Sequence, residues 1–293
     1  MPADGRRERP SRWRRVAVAG ALGLLGLAAA GPLLAPYDPA HAFRDAGLSA
    51  AGYPLGPGGA FLLGTDPAGR DELSRLLAGA RPSILVALGG SLLATAIGLI
   101  VGAVAGFAGD PLIDLGGRRL RLPVESLLMR TTDVFLGLPP LLLALALTAV
   151  LRPSLLLVLL VVGLTLWTTV ARVVYGRVHS LRDAPFVEAA RALGVGPGRV
   201  LWRHVLPHVS AIVLVYLALG MAAAVLLESS LSFLGLGLPP AEVDWGSMIA
   251  EATPFALVDP RLVVLPGGAL MVTVLTFVLL GDAAAGPVAR GRR

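Results

Sequence analysis

The run PSILVALGGSLLATAIGLIVGAVAGFAG, Pro82–Gly109, decides the fold, because its 28 residues contain no aspartate, glutamate or arginine. A helix crossing a hydrocarbon core of about 30 Å needs about 20 apolar residues. This stretch therefore spans a bilayer with a turn to spare at either end. Five further runs lack the same residues: Val16–Pro36, Val134–Leu151, Pro153–Ala171, Val209–Leu227 and Leu262–Gly281. The whole 293-residue chain has the same character, with 55% hydrophobic and 15% charged residues, against about 25% charged in soluble domains. The expectation is an all-α polytopic membrane protein with six transmembrane helices.

Every one of the 25 basic residues is an arginine, and cysteine is absent. Without lysine there is no G-x-x-x-x-G-K-[ST] phosphate loop, and without cysteine no disulfide, thiolate metal site or cysteine nucleophile. The chain therefore does not by itself hydrolyse ATP in the P-loop way. The net charge of +6 is distributed between apolar runs rather than gathered into a patch, which points to membrane topology and away from nucleic acid. With the N-terminus inside, inner segments hold 19 of the 25 arginines, and the outer ones keep Arg44, Arg70, Arg75, Arg81, Arg152 and Arg261. The positive-inside rule thus places both termini in the cytoplasm. The first span, which contains Ala28, Ala29 and Ala30, also admits a cleaved signal peptide. Its apolar run exceeds an h-region of about 7–15 residues, favouring an uncleaved signal-anchor.

The chain divides into a cytoplasmic N-terminus and first span (1–36), an outer loop (37–81), a five-helix core (82–281) and a cytoplasmic tail (282–293). The outer loop is expected to end in an interfacial helix, with Asp66 as N-cap and Pro67 at the first helical position. Leu73, Leu76, Leu77 and Ala80 would share its apolar face, opposite Arg70, Asp71 and Arg75. A second outer loop, Pro239–Arg261, carries Glu242, Asp244, Glu251 and Asp259.

The inner segment 172–208 is the most informative. Asp183 and Pro185 start a short helix, and Gly194 supplies the left-handed residue that ends one. Phe186, Ala190 and Leu193 form an apolar stripe, with Glu188 and Arg191 on a polar face. Small Ala189 and Ala190 permit close approach of another backbone. Gly196-Pro197-Gly198 is a turn, and Arg199–Leu206 a second short helix ending at Pro207, so the unit is a helix-turn-helix.

The order Glu188-Ala189-Ala190, then Gly194, then His204 to Pro207 resembles the EAA loop of ABC importer permeases. Leu63-Gly64-Thr65-Asp66, Gly69-Arg70-Asp71 with Ser74-Arg75, and Asp133 to Leu136 with Pro139 resemble the dipeptide/oligopeptide/nickel branch of that family. So do Leu231–Gly237 and Trp245-Gly246, and the arrangement is that of its C-type subunit. The chain departs from the family at His208, where Asn often stands, and in its Arg290, Arg292 and Arg293 tail. The resemblance implies a MetI-like importer-permease bundle in the prokaryotic plasma membrane, importing peptides or, in some members, nickel or another small solute. It further implies two cytoplasmic ABC ATPase subunits, a second related permease forming a heterodimer, and an extracytoplasmic solute-binding protein. Glu188, Ala189, Ala190, Gly194 and Pro207 would form the ATPase-coupling loop. No cofactor and no metal are expected, and no residue in a catalytic role.

Other readings attach to single residues. Glu188 is also a helix-start carboxylate favoured by the helix dipole. Glu228 is a carboxylate at membrane depth, costing roughly 2.5–3.5 kcal/mol at a helix centre on insertion scales. It lies on a gate or substrate path, pairs between subunits, or reaches the interface. Asp133 is expected to be solvated at the inner interface. His204 and His208 have helical spacing for a metal, but Pro207 intervenes and a third ligand is missing. Gly98, Gly102 and Gly106 form a small-residue face for close helix packing. Two rivals from other classes are a membrane enzyme, for which no catalytic group is identifiable, and a membrane-tethered DNA-binding regulator. For the latter, Arg199–Leu206 is too apolar for direct readout of bases.

Overall fold

In hydrocarbon, backbone polar groups must be satisfied within the segment, so the apolar runs fold as helices. The computed structural model describes residues 12–110, 112–115, 118–239 and 242–290. Among the described residues, five helices are long and apolar enough to cross a membrane: α1 (Arg12–Leu34), α2 (Glu72–Ala108), α5 (Leu155–Leu181), α8 (Ser210–Phe233) and α10 (Arg261–Arg290). The expected third span, Val134–Leu151, is not one straight helix. Its place is taken by α3 (Val124–Leu136) and α4 (Pro140–Val150), bent by 87° and counting as a sixth span when taken together. The break falls at Gly137-Leu138-Pro139 because Pro139 and Pro140 bring no backbone N–H and push the preceding residue out of the helical region. A short antiparallel hairpin, β1 (Leu112–Leu115) with β2 (Arg118–Arg121), is added between α2 and α3.

The bundle is built on the contact of α2 with α5. Gly98, Gly102 and Gly106 run along it, and a Cβ at Gly102 would lie 2.4 Å from the Ala171 carbonyl oxygen. The small-residue face thus packs inside the bundle. α8 lies against α2 and α10, and α1 borders α2 and α10 at the periphery.

The interfacial helix is corrected in two ways. It is not separate: α2 runs unbroken for 37 residues with Pro82 inside it, about 55 Å at 1.5 Å per residue. Nor does Asp66 cap it. Asp71 is the N-cap, its Oδ2 accepting from the Ser74 amide at 2.8 Å and the Ser74 hydroxyl at 2.6 Å. Asp66 instead closes a turn, its Oδ1 accepting from the amides of Ala68 and Arg70, both at 2.8 Å.

Candidate functional site

The loop between α5 and α8 opens with α6 (Pro185–Ala192), which starts at Pro185 as expected. Asp183 does not cap it; the N-cap is Ala184, without a side-chain bond, while Asp183 accepts from Arg182 Nε at 3.2 Å. The helix ends in a Schellman motif: Val195 donates to the Ala190 carbonyl at 3.1 Å and Gly194 to that of Arg191 at 2.9 Å. Gly194 has φ +78°, a conformation costing other residues roughly 1–2 kcal/mol. The expected second helix, Arg199–Leu206, is irregular: α7 (Pro197–Val200), a π turn over Leu201–Val205 and a 3-10 turn over Leu206–His208. Pro207 lies in that last turn, where its missing N–H breaks the ladder.

α6 buries a different stripe from the expected one. Val187 and Ala190 are enclosed with Val174, Val178, Val200, Val205 and Val209. Phe186 stacks on the His208 ring at 5.0 Å, and Leu193 is 84% exposed. The rotation follows from Val187, a compact branched side chain that fits the valine-rich surface of α5 where Phe186 would overfill it. Arg191 anchors the polar side, its guanidinium 5.3 Å from the centre of the Phe107 ring at the end of α2. Glu188, Ala189 and Gly194 remain exposed and Ala190 lies beneath them. His208 Nδ1 meets the His204 carbonyl oxygen at 2.8 Å, so these histidines contact each other through backbone rather than converging as ligands.

Glu228 does not border its span. α8 continues past it to Phe233, and its side chain is wholly buried. Ser229 Oγ donates to Oε2 at 3.1 Å and Ser232 Oγ to Oε1 at 3.5 Å. A cavity of about 410 Å³ next to it is lined by Leu226, Ser229, Ser230 and Phe233, and not by Glu228. The cover comes from α9 (Trp245–Ala252), whose first turn touches α8 so closely that a Cβ on Gly246 would lie 2.4 Å from the Ser229 carbonyl oxygen. Trp245 is buried with its Nε1 donating to the Leu76 carbonyl at 3.0 Å. Asp244 caps α9 in a capping box with Ser247. Burial pushes its carboxyl above the usual range, while hydrogen bonds from the Ser247 amide and hydroxyl pull it down.

One charged cluster was not legible in the sequence. Arg75, expected opposite the apolar face of its helix, is buried, its Nη2 2.8 Å from Glu251 Oε2 and its Nε 3.3 Å from Asp66 Oδ2. Arg70 pairs with the same two carboxylates. Arg261 reaches the carbonyls of Leu55 and Thr65 at 3.2 and 3.3 Å and pairs with Asp259 at 2.6 Å. The 37–71 segment is thereby fastened to α9 and the start of α10. At the opposite end, Asp133 is not merely solvated but paired with Arg172 of α5.

The family model described as "Binding-protein-dependent transport system inner membrane component" matches residues 98–291. The di/tripeptide transport system permease protein of Pseudomonas aeruginosa is 35% identical over 251 residues, covering 86% of this chain and 79% of that protein. The oligopeptide transport system permease protein of Bacillus subtilis is 32% identical over 219 residues, covering 75% and 68% respectively. A solved structure of the methionine ABC transporter MetNI in inward-facing conformations shares the fold, with a TM-score of 0.56 at 14% identity, over 74% of this chain and 95% of that one. The set of long apolar helices agrees with that match, and the chain belongs to the family of binding-protein-dependent transport system inner membrane components.

Proposed function

We propose that this chain is the permease subunit of an ABC importer that moves di- and oligopeptides inward, with both termini and the α6 loop in the cytoplasm. It pairs with a second, related permease, and the two are served by two ATPase subunits and an extracytoplasmic solute-binding protein. The chain itself performs no covalent chemistry. Peptide cargo is supported by similarity to a di/tripeptide and an oligopeptide transport system permease protein, and orientation by the arginine distribution.

The single observation behind the coupling role is the way α6 is held. Val187 and Ala190 grip the bundle while Glu188, Ala189 and an 84% exposed Leu193 stand free. That is an apolar and charged edge on a rigid base, suited to a groove on the ATPase. Gly194 and the turn containing Pro207 set the angle at which this edge is presented. ATP-driven closure of the ATPase pair favours one position of α6 and nucleotide release another, so the permease distributes between two states according to their differential binding. Glu228 acts near the outer gate by holding the packing of α9 on α8.

The test uses the full complex in proteoliposomes with labelled di- and tripeptides. Glu188→Ala and Gly194→Val are expected to leave assembly intact while peptide uptake falls further than ATP hydrolysis, so that uptake per ATP drops. Normal coupling in both variants rules out this role for the loop, and absence of peptide uptake by the wild-type complex rules out the cargo.

A further inference from the structure

The start of α3 lies where three elements meet. Its N-cap, Pro123, makes no side-chain bond, and the amides of its second and third residues find partners across the hairpin. Glu125 N donates to the Gly109 carbonyl at 3.1 Å. Ser126 N and Oγ reach the Asp110 carboxylate at 3.2 and 2.7 Å, and these bonds hold that carboxyl below its usual range. This fixes α3 to the end of α2.

The Glu125 side chain faces the other way. Its Oε1 accepts from the Tyr175 hydroxyl at 2.5 Å and lies 3.7 Å from His179 Nδ1. Its Oε2 lies 3.5 Å from Arg182 Nη1. Tyr175 and His179 belong to the last two turns of α5, and Arg182 is the cap residue that leads into α6. Further along the antiparallel pair, Asp133 meets Arg172, and the Phe135 ring meets that of Trp167 at 5.7 Å. α3 is therefore zipped along the final half of α5. Beyond the 87° bend, α4 belongs to another cluster, where Ala144 packs with Val158 and Val161 of α5 and Leu227 and Leu231 of α8.

We propose that Glu125 is a positioning residue that carries displacement of the α6 loop into the bent span. The inference rests on the coupling role of that loop. A shift of Arg182 pulls the first limb through the carboxylate, and the zip moves α3 as one piece. The difference from the fixed second limb is taken up at Gly137–Pro139. A side chain that only stabilised the fold would not alter how much cargo moves per ATP.

The experiment measures tripeptide uptake per ATP hydrolysed by the full complex in proteoliposomes, beside complex assembly and thermal stability. Glu125→Gln keeps an acceptor for Tyr175 and loses the ion pair; it is expected to lower uptake per ATP about five-fold, the low end of ordinary allosteric coupling. Glu125→Asp is expected between Glu125→Gln and wild type. The double exchange Glu125→Arg with Arg182→Glu is expected to recover most of the loss, as a direct coupling between the two requires. Unchanged uptake per ATP in Glu125→Gln, whatever its stability, overturns the proposal. So does an uncoupled Glu125→Asp with no recovery in the exchange. Glu188→Ala and Gly194→Val are measured in parallel: if they uncouple and Glu125→Gln does not, this inference alone fails, whereas if they stay coupled the role of the loop fails with it.

Discussion

Glu228 is a carboxylate in an apolar helix with hydroxyls for its near neighbours, and those hydroxyls decide what its replacement does. Ser229 and Ser232 donate to it, and Ser83, also fully buried, stands beside it. Glu228→Ala leaves the Ser229 and Ser232 hydroxyls without this acceptor around a new void, a loss of about 1–3 kcal/mol for each orphaned buried group. Glu228→Gln keeps volume and an acceptor oxygen and is expected to cost clearly less. Thermal unfolding of the purified protein in detergent separates the two; equal losses show that hydrogen bonding is not what holds the site. The sequence marks this residue as a carboxylate at membrane depth, bordering the fifth apolar run. It did not show the burial, because the covering residues, Asp244 and Trp245, reach α8 only through tertiary packing. Gly194 is the opposite case. Its left-handed turn follows from local chain geometry and was legible from the sequence, while the buried stripe of α6 was misread because the valine surface receiving it lies on α5.

Elements are positioned here by how closely backbones approach. On α2, a Cβ at Gly102 meets the Ala171 carbonyl oxygen at 2.4 Å, whereas one at Gly176, on an exposed face of α5, meets nothing within 4 Å. Gly102→Ala is therefore expected to force α2 and α5 apart at a cost of about 1–3 kcal/mol. Gly176→Ala is expected to be neutral or to stabilise by up to about 1 kcal/mol, through helix propensity. Both are read from the melting temperature in one detergent, and a similar loss in the two variants contradicts the packing argument. The glycine spacing was visible in the sequence because a four-residue repeat always lies along one helix face. The bend between α3 and α4 was not read, although Pro139 and Pro140 were in view. Proline is tolerated in membrane helices when neighbours satisfy the freed groups, so apolar length alone suggested a straight span. The fused start of α2 was missed for a related reason: Asp66 and Asp71 are both plausible caps, and only the pairing of Asp66 with Arg70 and Arg75 selects between them.

The molecule as a whole has two ends, and assigning them to the two sides of a membrane is the remaining step. α5 and α8 meet at the end that carries α6, while α9 and the start of α10 lie at the other. The arginine excess accompanies α6, and the opposite end is fastened by internal ion pairs of Arg70, Arg75 and Arg261. Because the chain has no cysteine, single thiols report on each end without background. Leu193, 84% exposed beside α6, and Leu257, 99% exposed before α10, suit Leu193→Cys and Leu257→Cys. In intact cells, a membrane-impermeant maleimide is expected to label the Leu257→Cys variant and to reach Leu193→Cys only after permeabilisation. The reverse pattern inverts the molecule and removes α6 from any cytoplasmic ATPase. Protection of the Leu193→Cys thiol in permeabilised membranes when the ATPase subunits are present, and its exposure when they are stripped, would place the partner on that edge of the bundle.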